Sequence, residues 1–268
     1  MTDDVQRTLD ALLGGRLKLR QPDRGHRAGT DAILLAAAVA GPLEALADLG
    51  AGVGSVGLAA ALRLSLRRLA LVEKDPSLAE LATQNIASNG LDSIAETFVC
   101  DVLDAKSRRA AGLVNDSFDG VAMNPPWYAA GRNRVSPDPG KATAHSMSGD
   151  GDPAVVEPWL RAASAILRPG GTLTMIHRPD SLPAILAACA GRFGDLAVLP
   201  VYPRRHEPAV RILLRGIKGS RAPLRLAPQL VLHDDDGRFT GAAEAIQRDL
   251  AAISWGNHEN AGLGEAGA

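Results

Sequence analysis

Residues 45–54 read Ala45-Leu46-Ala47-Asp48-Leu49-Gly50-Ala51-Gly52-Val53-Gly54. Ala45 to Leu49 reads as a strand with one acid near its end, and it empties into a run of glycines. Ser55 to Leu66 then reads as a helix. A strand feeding a glycine turn and then a helix is where open parallel sheets bind nucleotides. Glycines let the backbone pass close to a ligand and adopt positive φ. Gly52-Val53-Gly54-Ser55-Val56-Gly57 also fits the dinucleotide pattern, so the turn alone does not choose its ligand.

Working outward, strands and helices alternate. Upstream, Gly29 or Thr30 opens a helix from Asp31 to Ala40, stopped by Gly41-Pro42. Leu17, Leu19 and a return near His26 predict a short hairpin over Gln21-Pro22-Asp23-Arg24-Gly25. Downstream, strands are expected at Arg68–Val72, Glu96–Cys100, Phe118–Met123, Thr172–His177, Leu196–Tyr202 and Val210–Gly216. Helices are expected at Pro76–Asn89, Pro153–Leu167 and Ser181–Ala190, with Pro76 suiting a first turn and Gly90 a stop. The pattern predicts an α/β fold: a mostly parallel seven-stranded sheet, helices on both faces, and an antiparallel last hairpin. It divides the chain into an N-terminal hairpin and helix (1–41), a main domain (42–218), an extension (219–256) and a tail (257–268) expected to be disordered. Ala129 to Asp152, rich in Gly, Pro, Ser and Asp, is expected to be a long functional loop.

Bulk composition narrows the function. The formal charge is −1, so any grip on nucleic acid must come from a local patch. Cys100 and Cys189 are far apart, lack metal-type spacing and are expected to be buried free thiols in a reducing compartment. No metal site is expected. The start, MTDDVQRTLD, lacks a basic region followed by an apolar stretch, and Ile33 to Val39 is too short to span a bilayer. A soluble cytoplasmic protein without a membrane partner is expected.

Acids close three successive strands. Asp48 sits just before the glycine turn, where a carboxylate repels a pyrophosphate and attracts the ammonium of a methionine moiety. Glu73 ends the second strand and suits the two hydroxyls of a ribose, which nicotinamide dinucleotides and S-adenosylmethionine share. Asp101 follows the third strand and suits an adenine amino group.

Asn124-Pro125-Pro126-Trp127 follows the fourth strand. The lone pair of an exocyclic amine is delocalised into its ring, so the amine is a poor nucleophile. Two acceptors that hold its two N–H groups localise the lone pair and aim it. The Asn124 side-chain oxygen and the Pro125 carbonyl are the expected pair. The prolines stiffen the turn, and Pro126 keeps Pro125 out of the helical region. Trp127 offers a flat face, and base stacking on an aromatic side chain is worth roughly 1–3 kcal/mol. With four Phe, three Trp and two Tyr in the whole chain, the adjacent Trp127 and Tyr128 stand out.

Arg204, Arg205, Arg211, Arg215, Lys218, Arg221 and Arg225 face Glu207 alone in one stretch. Arg204, Arg205, Arg211, Lys218 and Arg221 are the expected phosphate contacts. Arg132, Arg134 and Lys141 add to them, and Arg20, Arg24, His26 and Arg27 form a second group. His145 and His177 have no evident partner, and His233-Asp234-Asp235-Asp236 reads as a turn.

At this point the chain resembles the class I, Rossmann-like methyltransferases of the small-methyltransferase-domain group. More narrowly, it resembles the bacterial valine-tRNA adenine-N6 methyltransferases. The resemblance spans about Leu12 to Arg215 and is carried by Gly14-Gly15-Arg16-Leu17-Lys18-Leu19, the stretch His26 to Leu35, the Asp48 turn, Glu73-Lys74-Asp75, Cys100-Asp101 and Asn124-Pro125-Pro126-Trp127. It implies S-adenosylmethionine as cofactor and an anticodon-loop adenine of tRNA as acceptor. It implies cofactor contacts from Thr30, Asp31, Asp48, Gly50, Gly52, Glu73, Asp101 and Asn124. Asn124, Pro125, Pro126 and Trp127 would then form the catalytic slot. Trp127 departs from the commoner Tyr at its position, which bears on the acceptor. The alternatives are another planar nitrogen (a release-factor glutamine or a guanine N2 of ribosomal RNA), a nicotinamide-dependent oxidoreductase and a non-catalytic RNA-binding protein.

Overall fold

The structure, a computed structural model, describes residues 7–22, 29–127 and 153–256. Its strands are β1 (Arg7–Leu12), β2 (Leu17–Pro22), β3 (Ala45–Leu49), β4 (Arg68–Glu73), β5 (Ala95–Val99), β6 (Phe118–Met123), β7 (Leu167–His177), β8 (Phe193–Tyr202), β9 (Arg211–Lys218), β10 (Arg225–Leu226) and β11 (Leu230–Val231). Its helices are α1 (Thr30–Ala38), α2 (Ser55–Ala61), α3 (Pro76–Ser88), α4 (Ala105–Ala110), α5 (Pro153–Ile166), α6 (Leu182–Cys189) and α7 (Gly241–Asp249).

The main sheet runs β5-β4-β3-β6-β7-β9-β8-β10, with β11 also on β8. Strands β3 to β7 are parallel, and β9 runs antiparallel to both β7 and β8. The expected seven strands are all present, and β10 and β11 extend them. Strand β3 is buried on both faces, which is why it reads as an apolar run without polar alternation. Its side chains still divide by parity: Leu46 joins the core under α1 and α2, while Ala47 and Leu49 join the core under α5 and α6. Helix α3 starts where Asp75 accepts the N–H groups of Ser77 and Leu78, with Pro76 in its first turn. Gly90, at φ 67°, follows its end.

The N-terminal hairpin corrects the sequence reading. It closes at Leu13–Arg16, with Gly14 and Gly15 at positive φ, and pairs β1 with β2. The return near His26 and the Asp23-Arg24-Gly25 turn lie outside the described residues. Leu17 and Leu19 are buried on one face of β2, and Lys18 and Arg20 are exposed on the other. Helix α2 ends at Ala61 rather than Leu66, and α1 ends at Ala38. Strand β7 starts five residues earlier than expected, because a register shift opposite Phe118 and Gly120 admits Arg168 to Gly171. The extension packs on the main body: Trp255 Nε1 donates to the Ala38 carbonyl at 3.0 Å, and Ile253 N donates to the Ala37 carbonyl at 2.9 Å. Among the described residues no helix is long and apolar enough to cross a membrane.

Candidate active site

The tips of the parallel strands share one sheet edge. There the glycine turn, the first turn of α1 and Asn124 enclose a cleft of about 390 Å³, within the ordinary range for small-molecule sites. Gly50 and Ala51 donate to the Val72 carbonyl at 2.9 and 3.0 Å, which ties the turn to β4. Gly50 has φ 71°, and a Cβ there would stand 2.8 Å from the Trp159 ring, so no other residue fits without movement. At Gly52, with φ 57°, a Cβ would meet nothing within 4 Å. Its glycine is required by backbone conformation alone, and the space above it stays open.

Asp48 lines this cleft, and its Oδ2 accepts the Gly57 N–H at 2.8 Å. Gly57 lets the helix approach so closely, since a Cβ there would lie 2.5 Å from Leu71 and 3.2 Å from the Asp48 Cβ. Burial raises the Asp48 pKa to about 7, against the opposing Gly57 hydrogen bond and with a smaller push from Glu73. Thr30, Asp31, Gly50, Gly52 and Asn124 line the same cleft. Asp48 and Asn124 therefore face one space, as methyl transfer requires.

Glu73 and Asp101 are not among the lining residues. Glu73 Oε2 accepts the Gly52 N–H at 2.8 Å, and Oε1 accepts those of Lys74 and Asp75 at 2.8 and 2.9 Å. A carboxylate has about four acceptor sites, so little remains for a ribose. Asp101 Oδ1 accepts the Leu103 N–H at 2.9 Å and shapes the turn after β5. Pro125 is buried, Pro126 exposed and Trp127 half-buried. Tyr128 and the loop with Arg132, Arg134, Lys141 and His145 lie outside the described residues, as do Arg24, His26, Arg27 and the tail.

The expected basic patch is not continuous. Arg211 opens β9 at the cleft edge, where its Nε donates to Asp31 Oδ2 at 2.8 Å. Lys218 closes β9 at the opposite edge of the sheet, paired with Asp116 at 2.6 Å. Seven steps of roughly 3.3 Å separate the two. Arg221 follows Lys218 on that far side. Arg204 and Arg205 are exposed in the turn between β8 and β9, at the cleft end, and Arg204 pairs with Glu207 at 2.7 Å.

The placement of two residues escaped the sequence reading. Arg211 lines the cleft itself. His177, at the tip of β7, is 1% exposed, and neither ring nitrogen has a well-formed hydrogen bond. Burial lowers its pKa against the pull of Asp180, which favours the neutral ring. His233 stacks on Phe239 beside a turn closed by Gly237 N and the Asp234 carbonyl. Cys100 and Cys189 are buried and unpaired, and burial pushes the Cys189 thiol up to about 12. Among the described residues no group of His, Cys, Asp and Glu is arranged to hold a metal.

Comparison with known proteins agrees with this geometry. Residues 27–137 match the methyltransferase small domain family. A crystallised predicted O-methyltransferase from Agrobacterium tumefaciens is 35% identical, with a TM-score of 0.68, over 83% of this chain and 98% of its own. The chain belongs to the small-domain methyltransferases. A tRNA1(Val) (adenine(37)-N6)-methyltransferase from Porphyromonas gingivalis is 28% identical over 234 residues, 84% of this methyltransferase and 88% of the relative. M. jannaschii TYW2, crystallised in complex with AdoMet, superimposes with a TM-score of 0.54 at 12% identity, over 81% of this chain and 88% of that one.

The ligand of that M. jannaschii structure is S-adenosylmethionine. The residues present fit it: an open glycine turn, a cleft of sufficient volume and a buried carboxylate beside it. Membership of the methyltransferases withdraws the oxidoreductase reading left open by the glycine pattern.

Proposed function

We propose that this methyltransferase acts on the exocyclic N6 of an adenine in tRNA, in the cytoplasm. The observation that carries the reading is that Asp48 and Asn124 line one cleft, with the stiff Pro125-Pro126 turn directly after Asn124. In this reading Asp48 receives the ammonium of the methionine moiety. The glycine turn passes under the nucleoside. Glu73 acts mainly by holding Gly52 in place. S-adenosylmethionine supplies an already activated methyl group on a sulfonium, so the protein's contribution is placement and electrostatics. The Asn124 amide oxygen and the Pro125 carbonyl each accept one N–H of the target amine and direct its lone pair. Trp127 stacks on the ring.

Two acceptors side by side suit an NH2 group, which brings two N–H donors, better than a hydroxyl, which brings one. That favours nitrogen as the acceptor atom, although the Agrobacterium relative is described as a predicted O-methyltransferase. The name of the Porphyromonas relative supports adenine in tRNA. Arg204 and Arg205 are exposed at the cleft end, and in this reading they meet phosphates while the adenine turns out of its loop to enter.

The test is transfer of labelled methyl groups to total RNA and total protein, followed by nucleoside mass spectrometry. N6-methyladenosine in the tRNA fraction supports the proposal, and label confined to protein overturns it. Asn124→Ala is expected to lower kcat by about 100-fold or more, the scale seen when one preorganised hydrogen-bonding group is lost. Affinity for S-adenosylhomocysteine, measured by calorimetry, should change less than about threefold. A variant that still turns over at the normal rate removes Asn124 from the slot.

A further inference from the structure

Three contacts hold the guanidinium of Arg211, the first residue of β9. Its Nε donates to Asp31 Oδ2, in the first turn of α1. Its Nη1 donates to the Val210 carbonyl at 2.7 Å. Its Cζ lies 4.3 Å from the centroid of the Trp127 ring. The Arg211 and Asp31 side chains are only 24% and 27% exposed, so their pairing is less screened than that of a surface pair. Two of the N–H groups a phosphate clamp would use are thus already engaged.

The prolines at 125 and 126 stiffen the backbone at the β6 tip, but they do not set the side-chain torsions of Trp127. An indole free to rotate would have to be ordered each time an acceptor arrived, at an entropic cost. A planar guanidinium laid against one face removes that freedom beforehand. It also leaves a single indole face on which a flat acceptor can stack.

We propose that Arg211 is a positioning residue for the acceptor: anchored by Asp31, it fixes the plane of Trp127 and hence the tilt at which a flat ring or amide meets Asn124 and Pro125. The inference rests on the reading of Trp127 as the stacking platform. It assigns Arg211 to alignment rather than to the phosphate contacts suggested by its neighbours in sequence. Lysine keeps the charge and the ion pair with Asp31 but lacks the flat face, so Arg211→Lys isolates the stacking contribution.

The experiment uses the full chain labelled with fluorotryptophan, with the Trp127 signal in the fluorine NMR spectrum identified by its loss in Trp127→Phe. In Arg211→Lys and Arg211→Ala the Trp127 signal is expected to shift and broaden. The KM for the acceptor is expected to rise about tenfold in Arg211→Lys, with S-adenosylhomocysteine affinity changed less than about threefold. An unmoved Trp127 signal in both variants overturns the proposal. So does a loss of S-adenosylhomocysteine affinity as large as the loss for the acceptor. If the wild-type enzyme labels protein and not tRNA, the adenine reading falls. The Trp127 signal and the KM for the labelled protein then decide the role of Arg211 by the same criteria.

Discussion

Asp48 carries two opposed demands. Its carboxylate is buried, so the folded protein without ligand keeps it protonated up to about pH 7, whereas the unfolded chain ionises near 3.8. The folded state then holds a proton that the unfolded state has lost. Its contribution to stability is therefore full below the unfolded pKa and is lost as pH rises to about 7. At full ionisation the difference is on the order of 4 kcal/mol. Asp48→Asn should accordingly raise the melting temperature at about pH 8 by roughly 3 °C or more, with a smaller gain near pH 5. The same variant should bind S-adenosylhomocysteine about tenfold or more weakly, since the ammonium loses a charged partner. In the wild type, affinity should climb between about pH 6 and 8, with proton release detectable by calorimetry in buffers of different ionisation enthalpy. Stability and binding moving together in Asp48→Asn would remove this acid from the ammonium site. Asp31 makes a related case. It neutralises Arg211 at the edge of a cleft whose proposed cofactor is a cation. Asp31→Asn should therefore weaken S-adenosylmethionine several-fold more than the neutral S-adenosylhomocysteine.

Between elements, a buried asparagine links the hairpin to the cofactor turn. Asn85 of α3 accepts the Arg20 N–H at 2.7 Å and donates to the Arg20 carbonyl at 3.1 Å and the Val53 carbonyl at 3.0 Å. Asn89, one turn on, brackets Lys18 in the same way. Strand β2 thus uses side-chain amides of α3 as a substitute sheet edge. Asn85→Ala leaves buried backbone groups of β2 and of the glycine turn unpaired, at about 1–3 kcal/mol for each such group. Hydrogen exchange should show lost protection at Arg20 and Lys18, while the central strands β3 and β6 stay protected. The C-terminal extension works by burial. Trp255 is 5% exposed against α1. Trp255→Ala should cost about 3–5 kcal/mol, read from denaturant midpoints.

For the whole molecule, charge is arranged by edge rather than in one stripe. With tRNA as the proposed acceptor, a near-neutral total leaves its binding to the few cations at the cleft end. Replacing Arg204 and Arg205 with Ala should raise the KM for tRNA and make its salt dependence shallower by about one to two charges. Lys218→Ala combined with Arg221→Ala, at the opposite edge, should leave the salt slope unchanged. His177 acts on stability in the opposite sense to Asp48. Its folded pKa lies below 6.5 because burial favours the neutral ring, so stability is lost as pH falls through 6.5. His177→Leu should raise the melting temperature more at about pH 5.5 than at pH 8.

Strand tips were legible from the chain because fully buried parallel strands must be apolar throughout, and each stops abruptly at a residue with different work: Gly50 after β3, Asn124 after β6. The alternation of these runs with helices was enough for the α/β class and for the seven main strands. The β1 half of the hairpin was not foreseen because Arg7–Leu12 has little apolar alternation, and its turn uses Leu13 at φ 53°, which no residue preference announces. Partnership was the hidden quantity. Glu73 spends itself on Gly52, Arg211 meets Asp31 and Trp127, and Lys218 departs to Asp116. Local patterns report which face of an element is buried. Which distant side chains then meet depends on strand order, and strand order arises from the packing of the assembled sheet.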